Sequence, residues 1–109
     1  MNDFTAVEKY ATGIREAGFM LADDGTKFTV GYSVPQKGCD LLRNIVLRDQ
    51  PQTIVEIGMA LGLSTAYIAS AVAELDKPCR YIVIDPFQER HWKNVGLKCL
   101  QNWGNLFIG

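Results

Sequence analysis

The stretch Thr53 to Thr65, TIVEIGMALGLST, constrains the fold of this chain more than any other. Ile54 to Ile57 reads as the core of a short apolar strand, Gly58 to Gly62 as a glycine-bearing turn, and Ser64 and Thr65 as part of the first turn of a helix. Such a sequence aims the unpaired N–H groups and the positive dipole end of the helix at one spot, where glycines let a ligand come close to the backbone. Apolar residues at nearly every position of Thr53 to Ile57 are the habit of a strand covered by helices on both faces. Glu56 is the exception and asks for a reason. Downstream, the β-branched run Tyr81-Ile82-Val83-Ile84 stops at Asp85, followed at once by Pro86. An acid at the end of a second strand suits the hydroxyls of a ribose.

The rest of the chain falls into place around this unit. Thr5-Ala-Val-Glu8 has capping-box spacing, and Val7, Tyr10, Ala11 and Ile14 recur at helical intervals up to Gly18, predicting a first helix. Phe19 to Tyr32 is weaker and reads as an irregular hairpin or ordered arm around Asp23-Asp24-Gly25. Ser33-Val-Pro35 has the form of a helix start, with Ser33 as cap and Pro35 in the first turn. Leu41, Leu42, Ile45 and Val46 then make an apolar stripe that ends before Pro51. After the glycine turn, Ile68, Ala71, Val72 and Leu75 mark one face of a helix closing near Asp76-Lys77-Pro78, and a second strand spans Arg80 to Ile84. Trp92, Val95, Cys99 and Trp103 predict another helix up to Gly104, and Leu106 to Ile108 a third strand. The order α, α, β-α-β-α-β implies an α/β fold of the doubly wound type with a parallel sheet, in one domain: residues 1–50 a helical cap or arm, residues 51–109 the βαβαβ portion.

Charge and composition narrow the partners. With a net charge of -1, the 109-residue chain has no positive field of the kind nucleic acids require, so neither DNA nor RNA is expected. No apolar run reaches the length of a membrane span, and the N-terminus lacks the features of a signal peptide, so a cytoplasmic location is expected and a membrane partner is not. Cys39, Cys79 and Cys99 are odd in number and widely spaced, without a CxxC pair. They predict neither a disulfide framework nor a metal site, and read as small buried hydrophobes.

The spacing of the turn bears on its ligand. A dinucleotide fingerprint would place a middle glycine for the pyrophosphate, but Gly58-Met59-Ala60-Leu61-Gly62 has none. Glu56, beside the turn, repels phosphates and attracts an ammonium group, so a nucleoside bearing an amino acid answers both demands. VEIGMALGLST followed by YIVIDPFQ resembles the class I S-adenosylmethionine-dependent methyltransferases, in particular their small-molecule O-methyltransferase-like branch. The likeness runs from about Pro51 to Gly109 and includes Trp92 and Val95-Gly96-Leu97. It implies a Rossmann-like three-layer sandwich, here its N-terminal, cofactor-binding half, preceded by two helices and truncated after the third strand. It also implies S-adenosyl-L-methionine as cofactor, methyl transfer to a small-molecule acceptor, and a set of binding residues. Gly58, Met59, Ala60 and Gly62 would pass under the methionine part. Glu56 would contact the amino group and Ser64 the carboxylate, Asp85 would take the ribose hydroxyls, and Pro86 and Phe87 would border the adenine.

Each of these residues has a plainer reading. Glu56 would then pair with a lysine or arginine, Asp85 cap the next helix, Gly58 and Gly62 serve the turn alone, and Ser64 act as an N-cap. His91 reads as a surface or capping residue rather than a base, and Trp92 and Trp103 as core. In the resembled family the remaining strands supply the other wall of the substrate pocket and the catalytic groups, so no catalytic residue is assigned and no metal ligand expected here. A half-sheet leaves the edge of the first strand unpaired, which predicts a fragment or self-association through that edge. The alternatives are a non-catalytic cofactor-binding or assembly module and, further off, a nicotinamide-dependent oxidoreductase.

Overall fold

The computed structural model describes residues 4–100, apart from the side chains of Tyr32, Lys98, Cys99 and Leu100. Helix α1 (Phe4–Ala17) ends as its pattern predicts, where Gly18 turns left-handed (φ 85°) and donates its N–H to Ile14 O. The arm is a hairpin of β1 (Phe19–Leu21) and β2 (Lys27–Thr29), antiparallel with Met20 opposite Phe28. A single 3-10 turn, Val30–Tyr32, leads towards α2 (Gln36–Asp49). Ser33 does not cap this helix. The chain enters it at Pro35 with no side-chain cap, and leaves at Gln50, which is left-handed (φ 48°).

Strand β3 (Thr53–Ile57), helix α3 (Leu63–Leu75) and strand β4 (Arg80–Ile84) form a βαβ unit. The strands are parallel, with Val55 beside Ile82 and Glu56 beside Val83. Helix α4 (Val95–Leu100) follows a series of turns. It starts after Trp92, and the continuation to Trp103 that the periodicity predicts lies outside the described residues. The expected third strand, Leu106 to Ile108, and Trp103 lie outside the described residues. The described residues form a mixed α/β fold with one two-stranded parallel sheet and one two-stranded antiparallel hairpin.

Two expectations are corrected. Helix α3 does not bury one face: Leu63 to Ala71 are buried without a break, because α1, α2, α4 and the sheet surround it. Its alanines and serines make this possible, since small side chains let neighbours close in on every side. Nor is β3 covered on both faces. Ile54 and Glu56 face α3, whereas Val55 and Ile57 on the other face are 54% and 78% exposed. Among the described residues β3 pairs with β4 alone, and a groove of about 450 Å³ runs between its free edge and Leu42, Ile45 and Val46 of α2.

A charged clamp joins α2 to α3. Arg43, 7% exposed, donates to Ser70 Oγ (2.9 Å), forms a salt bridge with Glu74, and lays its guanidinium 3.7 Å from the ring centre of Phe4. A buried arginine is tolerable because these partners replace its water. Cys39 is fully buried, as expected, but Cys79 is only partly so. No described helix is long and apolar enough to cross a membrane.

Candidate functional site

The residues singled out in the sequence meet where β3 and β4 end and α3 begins. Gly58 donates its N–H to Ile84 O (2.7 Å), which zips the start of the turn onto β4. Gly58 (φ 84°) and Ala60 (φ 48°) are left-handed, and a side chain at Gly58 would meet no atom within 4 Å. Gly62, also left-handed, is the N-cap of α3 and supplies no side-chain bond. Ala66 makes the first helical bond, to Gly62 O, so the N–H groups of Leu63, Ser64 and Thr65 have no partner within the helix.

Asp85 is bound to the turn itself. Its Oδ2 accepts from Met59 N (3.2 Å), Ala60 N (3.0 Å) and Gln88 Nε2 (2.9 Å), while Oδ1 accepts from Phe87 N (3.1 Å). It caps no helix. The acid instead neutralises two outward-pointing amides of the glycine turn and closes a tight turn through Pro86, so β4 fixes the shape of the loop that follows β3. Phe87 is 62% exposed beside this cluster.

Glu56 is held by three hydroxyls rather than by a lysine or arginine. Ser64 Oγ donates to Oε2 (2.8 Å), and Thr65 Oγ1 (2.5 Å) and Tyr81 OH (2.7 Å) donate to Oε1. Ser64 therefore neither caps α3 nor stands free. Its hydroxyl hydrogen belongs to Glu56, while its oxygen keeps acceptor capacity. Thr65 and Tyr81 were not singled out as site residues. The available signal was a tyrosine on the second strand, on the same face as the one acid of the first.

The phenol of Tyr81 is pushed well above its ordinary value by burial, with the adjacent Glu56 carboxylate adding to the shift. Below pH 10 both folded and unfolded chains keep this proton and stability is unaffected. Above it the unfolded chain releases the proton and the folded chain does not, so stability falls by about 1.4 kcal/mol per pH unit. Urea denaturation between pH 9 and 11 should show this loss, and Tyr81→Phe should make it shallower, the part that remains coming from Tyr67, Cys39 and Cys79, which burial also pushes up. Equal slopes in the two proteins would refute the assignment.

The glycine turn is also shaped from outside. Met59 is buried in the main core, so only its backbone faces the site. Leu61 packs with Met20, Ala22 and Val95, which seats the hairpin against the turn. Lys93 ties the hairpin down through Asp24 Oδ2 (2.5 Å) and Thr26 Oγ1 (2.8 Å), and its ammonium group holds the Asp24 carboxyl below the usual carboxylate range. Gly62 packs against α4: a Cβ there would lie 2.9 Å from Gly96 O, and a Cβ at Gly96 would lie 2.3 Å from Ala60 O. The two glycines bring α4 onto the turn. His91 is exposed, its ring edge-on to Trp92 at 4.7 Å, and its backbone N–H is donated to Phe87 O (2.9 Å).

Under the turn is a cavity of about 70 Å³, lined by Ser33, Val34, Gly58 to Gly62, Leu63 and Ser64. It has room for about two water molecules or a carboxylate-sized group, not for a nucleoside. The Ser33 hydroxyl is buried and has no hydrogen-bond partner among the described residues, a position normally filled in native structures. Among the described residues no cluster of histidine, cysteine or acid side chains is arranged to hold a metal ion. The sequence matches no known family profile and no curated protein.

Proposed function

We propose that the protein binds S-adenosyl-L-methionine at the glycine turn and belongs to a methyltransferase that acts on a small-molecule acceptor, within a Rossmann-like fold. The observation that carries this reading is the convergence of Glu56, the turn Gly58 to Gly62, the start of α3 and Asp85 at one end of a parallel strand pair.

The residues fit the group. Ser33 offers an unpartnered buried hydroxyl, and Leu63, Ser64 and Thr65 present helix N–H groups, a setting that favours a carboxylate. Gly58 leaves open space above the backbone. Asp85 Oδ1, with a single donor, retains capacity for a ribose hydroxyl, and exposed Phe87 provides a face for adenine. Glu56 places negative charge beside the turn, where an ammonium group is stabilised. The bound cofactor supplies an electrophilic methyl group; the chain's part is to bind, orient and exclude water.

One observation favours a second reading, a cofactor-binding module without transfer. Both acids of the site are already hydrogen-bonded within the protein, Glu56 to three hydroxyls and Asp85 to four N–H donors, so neither is poised to take a proton from an acceptor. Binding without turnover on any acceptor would distinguish it.

Isothermal titration with S-adenosylhomocysteine should give saturable binding, weakened about tenfold or more in Asp85→Ala, the scale of one lost charge-assisted bond. Absence of binding to the unmutated protein would overturn the cofactor assignment. Circular dichroism of the variant separates lost binding from lost folding.

A further inference from the structure

The most saturated polar side chain at the turn is Gln88, which the sequence motif contains but gives no role. It is 7% exposed. Its Nε2 donates to Ala60 O (2.9 Å) and Asp85 Oδ2 (2.9 Å), and its Oε1 accepts from Gly96 N (2.7 Å) and Leu97 N (3.1 Å). Both hydrogens and both lone pairs are thus engaged, and the amide has only one workable orientation, since a flip would set oxygen against two oxygens and N–H against two N–H groups. A single side chain thereby ties together the turn after β3, the acid after β4 and the first turn of α4. Gly96 permits the approach: a Cβ there would stand 2.9 Å from Gln88 Oε1.

The consequence falls on the Asp85 carboxylate. With Met59 N and Ala60 N on the same oxygen, Gln88 completes three donors to Oδ2. Each carboxylate oxygen offers about two lone-pair sites, so Oδ2 is saturated, the plane of the group is fixed, and the remaining capacity is the second site of Oδ1, whose one donor is Phe87 N. We propose that Gln88 is a positioning residue that locks Asp85 so that the remaining acceptor site of Oδ1 faces a ribose hydroxyl, and so sets the selectivity of the site for nucleosides with an intact ribose. This rests on the reading of the turn as an S-adenosylmethionine site.

The test compares adenosine with 2′,3′-dideoxyadenosine, by titration against the unmutated protein, Gln88→Met and Gln88→Asn. Methionine matches the volume without the bonds, and asparagine holds its amide back by one methylene. The unmutated protein should prefer adenosine about tenfold or more. Both variants should lose most of that preference while keeping their affinity for the dideoxy compound within about twofold. A merely structural role would weaken both ligands alike, and that result overturns the proposal. A variant that discriminates as well as the parent also overturns it, leaving the cofactor reading intact. A parent that does not discriminate removes the ribose reading itself, and the positioning role with it. Should neither variant fold, hydrogen exchange at the side-chain amide of Gln88 in the unmutated protein decides. It should be at least about tenfold slower than at exposed Gln52, and equal rates would overturn the lock.

Discussion

Alanine at Gly96 is expected to cost about 3 kcal/mol of stability, at the upper end of what overpacking usually costs. The added Cβ would stand 2.3 Å from Ala60 O and about as close to the Gln88 amide as a hydrogen-bond partner, and none of these atoms can move freely. Ala60 is left-handed and pinned by Asp85, and Gln88 is bound at four points. To relieve the contact, α4 must lift off the turn, which breaks the Gln88 bonds to Gly96 and Leu97. Gly62→Ala should be similar, since a side chain at φ 85° carries about 1–2 kcal/mol of conformational strain and would also meet Gly96 O at 2.9 Å. The two costs should fall short of additive, because either change already separates the same surfaces. Gly13→Ala is the control: it lies within α1 with nothing within 4 Å, and should stabilise by about 0.5–1 kcal/mol. Urea denaturation with linear extrapolation measures all three. If Gly96→Ala is as harmless as Gly13→Ala, α4 is not seated on the turn.

Glu56→Ala should destabilise by about 3 kcal/mol, because it strands three buried hydroxyls at roughly 1–3 kcal/mol for each that finds no new partner. Thr65 is wholly buried, and Ser64 and Tyr81 are each 6% exposed, so water does not readily replace the carboxylate. The hydroxyls can rotate to serve one another, which keeps the total below the simple sum. Tyr81→Phe removes one donor and leaves Glu56 with two, for an expected loss of about 1 kcal/mol. In a double-mutant cycle the two positions should couple by about 1 kcal/mol or more. A loss below about 0.5 kcal/mol for Glu56→Ala would mean that the acid is solvated in the folded protein and its hydroxyl partners are not held.

Much of the local structure was legible in the sequence because it depends on neighbouring residues. Gly18 ends α1 for want of a Cβ penalty in the left-handed region, and the β-branched runs Thr53 to Ile57 and Arg80 to Ile84 are strands with the bounds their patterns gave. The turn from Gly58 to Gly62 stands where its glycines required. Asp85 was recognised as meaningful by its place after a strand, although its partners on Met59 and Ala60 were not. Ser33 shows the limit of such signals. Its sequence context fits a helix cap, yet α2 starts at Gln36 with Pro35 at the cap position, and the Ser33 hydroxyl lies against the cavity wall instead.

The sequence by itself determined the strand, the glycine turn, the helix and the two acids, because propensity, backbone freedom and the 2- and 3.6-residue periods act over short spans. Only the tertiary structure decided what each acid holds. Glu56 meets Tyr81 because β3 and β4 lie side by side in parallel, and Asp85 meets Ala60 because the two strands end together. It decided, too, that Gly62 packs against Gly96, that Leu63 to Ala71 of α3 are enclosed on every side, and that Val55 and Ile57 are left uncovered. These depend on which surfaces meet across distant parts of the chain, and no local pattern of residues encodes that.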